Sequence, residues 1–181
     1  MQALLSVSLA TAAIVLLAAG TSKVLRPAST IGALRAMHLP ASAAVVRAIG
    51  LTEMAAGLVA VLADAWVGPA SVATVYAAFV LFVAAALRRG TYLQTCGCFG
   101  GLEVPPTRIH LVVDATAVVV PVLATVTRSA PLVDLLAGEP LAGIPLLVVI
   151  ATAAFLVVAI ITVLPMAVLA MTAERSARVA P

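Results

Sequence analysis

Two cysteines flank one glycine in Thr95-Cys96-Gly97-Cys98-Phe99-Gly100-Gly101, and the chain has no others. A disulfide needs α-carbons about 4.4–6.8 Å apart. Over a separation of two residues this demands a tight bend, which an intervening glycine adopts at little steric cost. Gly97 and Gly100 are therefore expected to set the geometry of the loop. So small a ring would be strained and easily reduced, which is a property of exchange-active bridges rather than structural ones. The neighbouring Arg88, Arg89 and Arg108 favour the thiolate that exchange and metal binding both require. Three readings stay open: a reactive pair with Cys96 and Cys98 as catalytic thiols, a soft-metal site for copper(I) or zinc, or two inert small residues. Two thiolates alone cannot close a tetrahedral site. His110 or a methionine would have to complete it, and Met37, Met54, Met166 and Met171 are dispersed along the chain.

Ionisable residues inside apolar segments form a second set of candidates, because such groups are costly in a bilayer and point to function. Glu53 lies six residues past Arg47 and Asp114 six past Arg108, so each acid sits about 9 Å deeper than its arginine if both segments are helical. At one common depth the two acids are expected to face a shared polar cavity beneath the cysteine loop. There they would serve as a proton relay for thiol chemistry or anchor a bound headgroup. The structural alternative pairs Lys23 with Glu53, and Arg108 or His110 with Asp114. His110 itself reads as an interfacial residue with a wet edge rather than a ligand.

The elements that must position these residues follow from composition. Of 181 residues 64% are hydrophobic and 9% charged, against about 25% charged in soluble domains. The mean hydropathy of +1.25 excludes a soluble enzyme, a secreted disulfide scaffold and a disordered tail. Five stretches are long and apolar enough to cross a bilayer: about Leu4–Gly20, Val45–Ala63, Val67–Leu87, Ile109–Thr127 and Leu146–Pro165. The fold class is thus an all-α integral membrane protein, a four-helix transmembrane bundle plus a fifth C-terminal transmembrane helix. Between the first two spans, Ile31, Leu34 and Met37 fall on one side of a segment from Pro27 to Leu39, which predicts a short interfacial helix started by Pro27 and stopped by Pro40. The final apolar run, Leu141 to Ala173, exceeds one perpendicular crossing and must tilt, kink at Pro165 or run along a surface. Residues 1–128 form the four-helix core, and 129–181 the connection plus the last span.

The net charge of +3 suggests no nucleic-acid partner, because the bases lie at the ends of apolar segments without interleaved aromatics. They act instead as topology signals. Nine of the ten fall on one side: Lys23, Arg26, Arg35 and Arg47, then Arg88, Arg89 and Arg108, then Arg175 and Arg178; only Arg128 falls on the other. This predicts an outer N-terminus, with the C-terminus and the Cys96-Gly97-Cys98 loop cytoplasmic. Small residues around Glu53 (Gly50, Ala55, Ala56, Gly57) permit close helix packing. Trp66 and Tyr92 fit as interface anchors.

Taken in order, Gly20-Thr21-Ser22-Lys23-Val24-Leu25-Arg26-Pro27, then Glu53, then Leu87-Arg88-Arg89-Gly90 and Cys96-Gly97-Cys98-Phe99-Gly100 resemble the MauE branch of the DoxX-like membrane proteins, over about Ala12 to Thr127. The resemblance implies a four-helix membrane core tied to thiol redox and the maturation of exported proteins, in a methylamine-utilisation setting with a thioredoxin-like partner. It also implies Cys96 and Cys98 as the redox pair and Lys23, Glu53 and Arg108 as a polar core, to which the residue reading adds Asp114. The chain departs from the family pattern where Ile109, rather than asparagine, follows Arg108, and in having a fifth span.

The resulting expectation is a multi-pass protein of the bacterial plasma membrane in which Cys96 and Cys98 exchange electrons with a thioredoxin-like or other membrane redox partner. One pair cannot carry electrons across a bilayer through successive disulfides, so a second carrier is required: another protein or a membrane quinone. In the cytosol thiols are kept reduced, so a loop on that side would rest as a dithiol and favour reductant delivery, or metal capture, over direct oxidation of exported chains. The competing expectation is a non-enzymatic membrane assembly or binding subunit that holds a partner or a soft metal.

Overall fold

Apolar runs of 20 residues or more have one low-energy solution in hydrocarbon, the α-helix, which satisfies its own backbone groups. A computed structural model describes residues 2–63, 66–89, 105–127, 132–138 and 140–179. Those residues form seven helices in the order α1 (Gln2–Leu25), α2 (Ala28–Ala36), α3 (Ala43–Leu62), α4 (Val67–Arg89), α5 (Arg108–Thr127), α6 (Leu132–Gly138) and α7 (Pro140–Val179). Five are long and apolar enough to cross a membrane: α1, α3, α4, α5 and the Gly143–Val168 part of α7. The chain is an all-α multi-pass membrane protein.

The helix ends have local causes. Ser42 caps α3, its Oγ accepting from the Val45 N–H at 3.2 Å, an N-cap bond of the usual kind. Pro69 falls within the first turn of α4, where a missing N–H costs nothing. Threonine hydroxyls inside the spans donate one turn back, as from Thr11 to the Val7 carbonyl at 2.8 Å and from Thr116 to Val112 at 2.9 Å, so few are left unsatisfied towards lipid. Pro121 in α5 and Pro165 in α7 are fully buried, which keeps the backbone carbonyls they free against protein.

Four spans close a ring: α1 packs on α3, α3 on α4, α4 on α5, and α5 returns to α1. Its core is Leu9, Ala12, Ala13 and Leu16 of α1, Ala56 and Ala60 of α3, Val72 and Tyr76 of α4, and Ala124 of α5. Tyr76 donates to the Ala12 carbonyl at 3.0 Å, so a buried hydroxyl ties α4 to α1. The last span lies outside the ring, against α1 and more lightly against α5. Large exposed side chains such as Leu51, Leu58, Leu81, Val112, Val126 and Phe155 form the lipid-facing surface of such a bundle.

Several boundaries differ from the expectation. The first span continues past Gly20 to Leu25, so Lys23 belongs to its last turn. The short second helix ends at Ala36 rather than at Pro40: His38 takes a left-handed φ of 58°, and the Leu39 N–H turns back to the Leu34 carbonyl at 2.9 Å. Its buried side, Thr30, Ala33, Leu34 and Met37, rests on protein as well, since Met37 packs with Ala86 of α4 and Arg89 Nη1 donates to the Met37 carbonyl at 3.4 Å. The connection before the last span carries α6, whose Leu132 packs with Ala10 and Ile150; seven residues are too few for a periodic signal. The last helix begins at Pro140 and runs on through Pro165 to Val179.

Candidate functional site

The site starts from glycine. A Cβ on Gly50 would lie 2.7 Å from the Gly20 carbonyl oxygen, and one on Gly57 2.7 Å from that of Ala13, so α1 and α3 approach backbone to backbone, as small residues allow in membranes. That approach sets the last turn of α1 against the middle of α3. Lys23 Nζ donates to Glu53 Oε2 at 2.8 Å, with the two side chains 3% and 2% exposed. The Phe79 ring of α4 lies 5.2 Å from Nζ, centroid to nitrogen, a cation–π distance. Two charges are thus removed from lipid and from water and paired with each other, and the ammonium also faces an aromatic ring.

On α5, Asp114 is 8% exposed, and its Oδ2 has no hydrogen-bond partner among the described residues, as is also true of Glu53 Oε1. Asp114 lies close enough to Lys23 to feel its charge. His110, one turn earlier, is buried rather than wet-edged, because the start of α5 folds over it. The Thr107 N–H donates to its Nδ1 at 3.3 Å and the Thr107 Oγ1 lies 3.0 Å from the same nitrogen. Neither Arg108, which is exposed, nor His110 bonds to Asp114. The acids therefore divide: Glu53 is closed in an ion pair, whereas Asp114 lines a largely apolar cavity of about 470 Å³ between α1, α4, α5 and α7 whose lining does not include Glu53.

A family model described as methylamine utilisation protein MauE matches residues 1–127. The chain belongs to the MauE family. No curated protein and no solved structure matches it. The match takes in the ring of four spans together with Lys23, Glu53, His110 and Asp114, and leaves out α6 and α7. It also takes in Cys96, Gly97, Cys98 and Gly100, which lie outside the described residues, on the connection that leaves α4 at Arg89 and enters α5 at Arg108. Among the described residues no group of three or more His, Asp or Glu side chains is placed to hold a metal ion. Sequence reasoning passed over Phe79 and the burial of His110. The four-residue spacing of His110 and Asp114 on one helix face was the available signal for the second; nothing in the sequence marked the first.

Proposed function

We propose that this MauE-family protein is a membrane thiol–disulfide redox component acting in the maturation of exported proteins, in a methylamine-utilisation-like system. The observation that carries this reading is the Cys96-Gly97-Cys98 motif, which follows the basic end of α4 in a family-matched segment. One thiolate attacks a partner's disulfide and gives a mixed disulfide, with one partner thiolate leaving. The second cysteine then resolves it, so Cys96 and Cys98 become joined and the partner leaves as a dithiol. The two electrons and two protons given up are restored by a second carrier. The buried Lys23–Glu53 pair and the buried Asp114 supply the polar groups inside the bundle that this chemistry would draw on, with the exposed Arg108 at the entry of α5.

Nine basic residues towards one end of the spans support an orientation with that end in the cytoplasm of a bacterial plasma membrane and the N-terminus outside. Under mild oxidation, Cys98→Ser or Cys96→Ser is expected to trap a mixed disulfide with a thioredoxin-like or other membrane redox partner. Absence of an adduct from both variants, with full cellular function in the double variant, would overturn the redox reading in favour of an assembly subunit. An impermeant thiol reagent is expected to label the pair in inverted vesicles and not in intact cells; the opposite pattern would reverse the orientation.

A further inference from the structure

The cavity beside Asp114 has a definite shape. Its wall includes α1 from Leu4 to Ala19, a run of about 22 Å at 1.5 Å per residue, and its volume of about 470 Å³ lies within the range of ligand sites. Along most of this length the walls are Ala, Val, Leu and Ile, and the hydroxyls of Thr11, Thr116 and Tyr76 are already donated to main-chain carbonyls. Ala153, Val157 and Ile161 of α7 form one side, and α7 packs more lightly on α5 than on α1.

Chemistry gathers where α5 begins. The Thr107 N–H occupies His110 Nδ1 as an acceptor, so the ring proton lies on Nε2, which makes no hydrogen bond among the described residues. One turn on is the unpartnered Oδ2 of Asp114, a side chain more than nine-tenths buried. The nearby cation, Lys23, is engaged by Glu53. A buried carboxyl with no cation to spare rejects a fatty acid or a phosphorylated head. What fits is an uncharged oxygen that accepts from Nε2: a carbonyl beside the carboxyl in its protonated form, or a hydroxyl that donates to it as an anion. The Phe79 and Tyr76 rings in the same lining supply aromatic neighbours for a flat head.

We propose that this cavity binds one isoprenoid quinone or quinol, its ring oxygen between His110 Nε2 and the Asp114 carboxyl and its tail along α1. The assignment rests on the cavity alone and holds whether or not Cys96 and Cys98 exchange disulfides. The test uses the full chain in lipid nanodiscs, titrated with a decyl-tailed ubiquinone and separately with decanol, which shares the tail and a hydroxyl but has no ring. Saturable binding of one quinone per chain is expected, at least tenfold tighter than decanol. Asp114→Ala is expected to weaken it about tenfold, as the loss of one buried hydrogen bond does. Ala117→Phe, which fills the tail channel, is expected to abolish it while leaving the helical circular dichroism unchanged. The double Cys96→Ser, Cys98→Ser variant is expected to bind like the parent, which separates this site from the redox reading. Equal affinity for decanol and quinone, no saturable binding, or wild-type binding by both cavity variants would overturn the proposal.

Discussion

At the scale of single residues, the Lys23–Glu53 pair sets the behaviour of the core. Removing one partner strands a charge in a medium that cannot solvate it, at a cost of about 3–5 kcal/mol. Lys23→Met is therefore expected to lower the thermal midpoint in detergent sharply, as is Glu53→Leu, while the double Lys23→Met, Glu53→Leu chain recovers most of the loss. A double variant as unstable as the sum of the singles would show that the two side chains act independently. The sequence made Glu53, Asp114 and Lys23 visible because charges inside apolar runs stand out. It left His110 misplaced, because a histidine next to an arginine at a helix entry has the same local pattern whether it faces water or is covered by Thr107. Phe79 was invisible for a related reason: an aromatic in an apolar span carries no signal until its neighbour is known to be a cation.

At the scale of elements, the α1–α3 contact is a contact of backbones. Gly57→Val would drive a side chain into the Ala13 carbonyl, which cannot move aside, and overpacking of this kind typically costs about 1–3 kcal/mol. Gly32→Ala in α2 is the internal comparison: nothing lies within 4 Å of its added methyl group, and replacing a helical glycine is expected to stabilise by about 0.5–1 kcal/mol. Thermal unfolding of the two variants should move in opposite directions, and a parallel shift would remove the close-approach argument. The five spans were legible as apolar runs because the bilayer enforces one length and one backbone solution. Their ends were less so, since the left-handed His38 stops α2 by a backbone conformation that its side chain does not announce, and α6 is shorter than any periodic signal.

At the scale of the whole molecule, the family-matched ring builds its core without the last span: every buried member of the main cluster belongs to α1, α3, α4 or α5. A chain ending after Arg128 is expected to insert and keep its helix content, as measured by circular dichroism of the purified protein, yet to lose quinone binding because one wall of the cavity leaves with α7. Failure of that shortened chain to fold would make residues 129–181 part of one cooperative unit with 1–128. The closure of the ring was not legible beforehand, because apolar runs report that helices span but not which helix meets which.

The last helix has one further consequence. Forty residues reach about 60 Å, roughly twice the thickness of a hydrocarbon layer, and the stretch beyond Val168 is still helical. That stretch of about 16 Å carries Glu174, Arg175 and Arg178, a polar end on an apolar helix. A fluorophore attached at Arg178 is expected to be poorly quenched by a lipid-borne quencher if the helix continues straight out of the bilayer, and strongly quenched if it bends at Pro165 to lie along the surface.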